Sequence, residues 1–209
     1  ADVLVAGGGI SGVCCALSAA RNGAKVILCQ DRPVLGGNAS SEVRMHVVGA
    51  NSGRPCRDLA LEPRESGIVE EIRLANAMHN AQRSPSMFDF ILYEKCRSED
   101  NITLMLNTAV VGVEKEGARI TQVESLRIST EDRFQITAKV FVDCTGDSTL
   151  ATAAGAVCFE GRESKQQFGE SLAQDEADNK SLGSTILFMA RKHDQPMPFT
   201  PPSWARKFT

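Results

Sequence analysis

The chain opens on an unbroken apolar run, Val3-Leu4-Val5-Ala6, which predicts a short buried strand over residues 2–6. Three glycines follow at once. Beyond them Ile10, Val13, Cys14, Leu17 and Ala20 recur at the spacing of a helix with one buried stripe, and Asn22-Gly23 supplies its stop. A second apolar run predicts a strand over 25–29. Strand, glycine turn, helix and strand within about thirty residues make a βαβ unit, right-handed by the usual chirality.

Regular spacing is then lost over 31–63, which is rich in Gly, Asn, Ser, Arg and Pro. An aperiodic stretch of that length is functional or disordered. Helical spacing returns at Ile68, Ile72, Ala75 and His79, giving a helix over 66–82. Ser84-Pro85 reads as an N-cap followed by proline at the first helical position, and the helix it opens should bury Phe88, Ile91, Leu92 and Cys96. Strand patterns over 102–106, 109–113, 119–128 and 134–138, with a turn near Glu116-Gly117, predict a small antiparallel meander. Residues 140–142 form a short buried strand ending in Asp143-Cys144-Thr145-Gly146-Asp147, and a helix over 148–154 stops at Gly155. After Val157 the pattern weakens: 160–180 is polar and aperiodic, 184–190 has strand character, and 195–202 is proline-rich.

Composition narrows the class. A chain of 209 residues allows one to two domains, and 42% hydrophobic residues supply a sizeable core. A net charge of −3 and 5% aromatics provide neither the basic surplus nor the stacking surface of a nucleic-acid binder. No apolar run approaches the roughly 18 residues of a membrane span. The seven cysteines form no CxxC pair and no metal spacing, and an odd count without a framework predicts reduced thiols and a cytoplasmic setting. Cys14, Cys29 and Cys144 lie in apolar segments and read as small core hydrophobes. Cys56, beside Arg54 and Arg57, alone has neighbours that favour a thiolate.

The chemistry begins at Gly7-Gly8-Gly9-Ile10-Ser11-Gly12, a GxGxxG turn with a strand before it and a helix after it. Gly7 permits the tight turn, Gly9 lets a pyrophosphate approach the backbone, and Gly12 allows close helix–strand packing. Ile10 and Ser11 open the helix whose N–H groups and positive dipole end face the phosphates. The acidic residue that would hold the adenosine ribose belongs at the end of the second strand. That place falls on Gln30, with Asp31 next, so either of them takes the contact. Arg32 beside them would suit a 2′-phosphate, hence NADP, or simply face solvent.

The segment Leu35-Gly36-Gly37-Asn38-Ala39-Ser40-Ser41-Glu42 sets a paired glycine and a hydroxyl cluster just beyond the ribose position, which a nicotinamide-binding domain does not need. On this loop the chain resembles flavoproteins of the two-dinucleotide-binding-domain, glutathione-reductase type. It is especially similar to a family of bacterial FAD-dependent oxidoreductases with an LGGNxSSE loop after the second strand. A more distant likeness is to the flavoprotein subunits of fumarate reductase and succinate dehydrogenase. The segment 106–110 resembles the place where such proteins hold adenine through the backbone of a residue like Val110, and 142–147 resembles the strand end that closes over FAD.

The resemblance implies an α/β fold: a Rossmann-like FAD-binding domain with a parallel sheet and a small antiparallel meander over 1–156, with a helical insertion at about 64–98. Residues 157–209 would begin a substrate or cap domain, and the chain would be the N-terminal part of a longer polypeptide. It implies FAD held by Gly36, Gly37, Asn38, Ser40, Ser41, Val110, Thr145, Gly146 and Asp147 together with the glycine turn and the ribose position. Asn38 stands where a histidine can link to flavin, so the cofactor would be non-covalent. Glu42, Arg44 and His46 follow the loop as candidates for proton transfer and substrate charge, with no metal involved. The alternation Val43, Met45, Val47 offers a plainer account, a strand with a wet polar face. Arginines 44, 54, 57 and 64 suit a carboxylate or hydroxyl substrate, or a solvated loop. The expected activity is hydride or electron transfer between a small organic substrate and FAD, with an unidentified acceptor. The rivals are an NAD(P)-dependent dehydrogenase and a flavin-binding module without turnover.

Overall fold

The computed structural model describes residues 1–45, 47, 66–184 and 190–207. β1 (Val3–Ala6) lies between β2 (Val26–Cys29) and β7 (Val140–Asp143), and β3 (Ile102–Met105) pairs with β2. All four strands run parallel in the order β3-β2-β1-β7. Alternate residues of β1 point to opposite sides: Val5 enters one core cluster, Leu4 and Ala6 the other. Burial on both faces is the reason these strands read as continuous apolar runs.

One face carries three helices. α1 (Ile10–Arg21) lays Val13, Ala16, Leu17 and Ala20 on the sheet, and α2 (Gly67–His79) and α3 (Pro85–Arg97) pack beside it through Ile72, Leu92 and Cys96. Glu71 ties the three together, accepting from Arg21 of α1 at 2.6 Å and from Lys95 of α3 at 2.5 Å. These two cations hold its carboxyl at about 2, Arg21 contributing more than Lys95. The expected N-cap of α3 is in place: the Ser84 hydroxyl accepts from Met87 N–H at 3.4 Å.

The other face carries the meander β4 (Thr108–Glu116), β5 (Arg119–Arg127) and β6 (Asp132–Ile136), with α4 (Thr149–Ala153). The run 102–106 falls in the parallel sheet rather than leading into the meander. Asn107 adopts φ 53° and donates its N–H to Arg32 O, turning the chain from one sheet to the other between β3 and β4.

Three further expectations are corrected. Among the described residues β7 is an edge strand with β1 as its neighbour, and Val140 is exposed rather than buried. Among the described residues 43–47 form no strand: Val43 and Arg44 both donate to Ser40 O, and Arg44 sits at φ 66°, which breaks the alternation. Cys29 is a core residue, while Cys14 and Cys144 pack against the core half-buried rather than enclosed within it. The strand expected over 184–190 falls largely outside the described residues, as do Arg54, Cys56, Arg57 and Arg64. The stretch beyond Val157 adds the four-residue α5 (Lys165–Phe168) and two isolated bridges, and leaves large apolar side chains such as Phe199 and Trp204 exposed.

Candidate functional site

The chain leaving the C-terminal ends of β1, β2 and β7 lines one cavity of about 850 Å³. The end of an open parallel sheet is where α/β folds bind ligands, and this volume lies toward the top of the roughly 300–1,000 Å³ of ligand pockets. Gly7, Gly9, Ile10 and Ser11 come from the β1–α1 turn, and Gln30, Asp31 and Arg32 from the end of β2. Gly36, Gly37, Asn38 and Glu42 come from the loop beyond, Val110 from β4, and Thr145, Gly146 and Asp147 from the end of β7. The sequence-predicted residues therefore meet from five separate stretches of chain.

The glycines of the turn differ in what demands them. A Cβ on Gly12 would stand 1.8 Å from the Gly7 carbonyl oxygen, and one on Gly7, at φ 96°, would stand 2.3 Å from that of Cys144. Those two are required by the protein's own packing. Gly9 has φ −62° and ψ 179°, an ordinary extended backbone, and a Cβ there would meet no atom of the described residues within 4 Å. Its missing side chain leaves open space in front of the α1 N-terminus. That terminus has no side-chain cap and no acidic residue in its first turn, so its leading N–H groups face the cavity. The Gly36 loop closes on the turn through a 2.8 Å hydrogen bond from Gly36 N–H to Gly8 O.

At the strand ends, supporting groups hold the wall. Gln30 is buried, accepts from Gly8 N–H at 2.6 Å and donates to Val34 O at 3.1 Å. Asp31 is half-exposed on the rim, with Arg32 between it and Glu42 at 3.6 and 3.5 Å. Burial raises the Asp143 carboxyl, but N–H groups of Ala151, Thr145 and Leu150 and the Thr145 hydroxyl outweigh it and hold the group below the usual range. As an ion it shapes the turn at Thr145-Gly146. Cys29 also touches the cavity, and burial pushes its thiol up to about 11, so it stays neutral.

A family model for FAD dependent oxidoreductase matches residues 2–207. The chain belongs to the FAD dependent oxidoreductase family. No curated protein matches it. Among solved structures it is similar to a triple mutant of the flavin-dependent brominase Bmp2, at 18% identity and TM-score 0.50 over 74% of this chain and 41% of that one. It is also similar to the flavin-dependent monooxygenase PieE in complex with FAD and substrate, at 16% identity and TM-score 0.49 over 77% and 32%. A third is p-nitrophenol 4-monooxygenase PnpA from Pseudomonas putida, at 16% identity and TM-score 0.48 over 77% and 43%. The brominase likeness bears on the fold alone, and the chain spans less than half the length of each of these proteins.

The cavity's lining fits the family's cofactor. The uncapped α1 N-terminus and the open side of Gly9 suit an anionic pyrophosphate, and the same wall carries Asp31, Val110, Asn38 and Gly146. Not every expected residue is on that wall. Gly12 lies behind it, packed on Gly7. Ser40 is buried with its hydroxyl accepting from Glu42 N–H, and Ser41 donates its N–H to Asp89, so both brace the loop from beneath. Glu42 does face the cavity. Arg44 lines a second, adjoining cavity, and His46 lies outside the described residues. Thr108, Ala109, Cys144 and Thr149 line the wall without having been singled out; their position just past strand ends was the available signal.

Proposed function

We propose that this cavity holds FAD non-covalently and that the chain contributes to an oxidoreductase moving hydride or electrons between a small organic substrate and that flavin. The observation that carries the reading is Gly9, whose side toward the cavity is open among the described residues and stands at the uncapped end of α1, an arrangement suited to an anion. The α1 N–H groups would hold the pyrophosphate. Gln30 is engaged with the glycine turn, which favours Asp31 for the ribose hydroxyls. Val110 would meet adenine through its backbone, and Gly36, Gly37, Asn38, Thr145, Gly146 and Asp147 would line the flavin end. Asn38 offers an amide rather than a nucleophilic ring nitrogen, consistent with a non-covalent cofactor.

Bound FAD supplies a two-electron acceptor for a substrate C–H bond. Glu42, with its backbone pinned by Ser40, is the described carboxylate placed to hold or move a proton at the loop side. Residues 1–156 would form the FAD-binding unit, with 157–209 belonging to a second unit, and an external acceptor would reoxidise the flavin. Six described cysteines are free, which supports a cytoplasmic setting. None of the described helices is long and apolar enough to cross a membrane. The test is anaerobic addition of candidate substrates to the FAD-loaded protein. Bleaching of the visible flavin band by an organic substrate supports turnover, and a loaded protein that no substrate class bleaches favours a binding module.

A further inference from the structure

Asp143 closes β7 and stands behind the cavity wall, whereas Cys144, Thr145, Gly146 and Asp147, which follow it, are on the wall. Both of its carboxylate oxygens are engaged. Oδ1 accepts from Thr145 N–H at 2.9 Å and from the Thr145 hydroxyl at 2.7 Å, and Oδ2 accepts from Ala151 N–H of α4 at 2.8 Å. The Thr145 hydroxyl in turn accepts from Thr149 N–H at 2.9 Å. We infer that Asp143 is a positioning residue for the cofactor, holding the Cys144–Gly146 turn against the glycine turn, an inference that rests on FAD occupying the cavity.

The turn that Asp143 holds has no room to move alone. Cys144 N–H donates to Ala6 O at 2.7 Å, carrying the pairing of β7 with β1 up to the glycine turn. There the Cys144 carbonyl and Thr145 lie against Gly7, where a Cβ would stand 2.8 Å from Thr145 Cα. On the other side, a Cβ on Gly12 would stand 3.3 Å from Cys144 Cβ. Close-packed backbone shifts together, so a displacement at Thr145 reaches Gly7 and the start of α1, where the pyrophosphate is proposed to sit. The ionised carboxyl group is what the arrangement needs, because it turns two acceptor oxygens toward three donors. An asparagine has one acceptor oxygen, and its amide nitrogen would face either Thr145 N–H or Ala151 N–H, donor against donor. The Thr145 hydroxyl gives its hydrogen to Asp143 and so has none for the oxygens of a cofactor. It supports the turn and acts through Asp143.

The test is FAD binding to the full chain, read by flavin fluorescence and by circular dichroism of the visible flavin band, below the melting temperature of each variant. Asp143→Asn should bind FAD about tenfold more weakly than the parent and change the dichroism of the bound flavin. Thr145→Val should also weaken binding about tenfold, and Thr145→Ser, which keeps the hydroxyl, should restore it. The double variant Asp143→Asn/Thr145→Val should stay near the tenfold loss of either single one, because both remove one network; independent contacts would multiply to about a hundredfold. Glu71→Gln, in the helical layer away from the cavity, should lower Tm while leaving affinity and dichroism unchanged, which separates positioning from general stability. Parent-like affinity and dichroism in Asp143→Asn, a hundredfold loss in the double variant, or a valine variant that binds as tightly as the serine one overturns the inference. The Thr145 pair decides it should Asp143→Asn not fold. A parent that takes up no FAD overturns the cofactor reading and this inference together, whereas a parent that binds FAD beside variants that bind it equally well overturns this inference alone.

Discussion

Gly9→Ala separates the anion seat from the fold. The backbone at Gly9 is ordinary for alanine, and the new Cβ meets no atom of the described residues within 4 Å. Losing glycine as the helix N-cap costs about 1 kcal/mol or less, and the stiffer unfolded chain returns about 0.4–1 kcal/mol. Stability should therefore stay within about 1 kcal/mol of the parent, a shift of at most about 2–4 °C in Tm for a chain of this size. On the proposed binding mode the same methyl group would stand in the path of the pyrophosphate. Loss of one charge-assisted hydrogen bond, about 1.5–3 kcal/mol, predicts FAD binding at least about tenfold weaker. Gly12→Ala is the contrast: its Cβ falls 1.8 Å from Gly7 O and 3.3 Å from Cys144 Cβ, so the turn must move. Overpacking there should cost about 1–3 kcal/mol or more and lower Tm before any cofactor is added. Thermal melts without FAD and flavin-fluorescence titrations read the two effects apart. A Gly9→Ala protein that binds FAD as tightly as the parent would refute the assignment of the turn.

Two further outcomes follow from the same geometry. Gln30→Ala strands the buried Gly8 N–H and should destabilise by about 1–3 kcal/mol in denaturant melts, whereas Asp31→Ala should leave the melt unchanged and weaken FAD binding about tenfold. Glu71, held at about 2 against 4.5 when unperturbed, contributes stability that is present above pH 4.5 and lost as pH falls toward 2. Glu71→Gln should accordingly flatten the acid limb of a stability–pH profile over that window, while an unchanged limb would deny the Arg21–Glu71–Lys95 cluster that role.

The βαβ unit, the glycine turn and the capped α3 were legible in sequence because each is set by local chemistry: apolar runs, helical spacing, and Ser84-Pro85. The meander was legible from its strand patterns and the turn at Gly117. Which sheet β3 joins was not, since that depends on pairing with β2, more than seventy residues back, and on a left-handed Asn107 that carries no pattern. Within the site, residue type pointed to Gln30 as a ligand group, but its amide is engaged by Gly8 and Val34, contacts that only the folded loop creates. The supporting contacts of Ser40 and Ser41 were equally illegible: one is buried and the other is tied to Asp89 through its backbone, contacts that the folded loop creates.

The most direct measurement is cofactor stoichiometry with release. The protein is incubated with FAD, freed of excess by gel filtration, then denatured, and the supernatant is assayed for flavin. The account predicts about one FAD per chain, all of it released, as for a pocket of this size without a covalent link. A colourless protein, or flavin that stays with the precipitated chain, would contradict it.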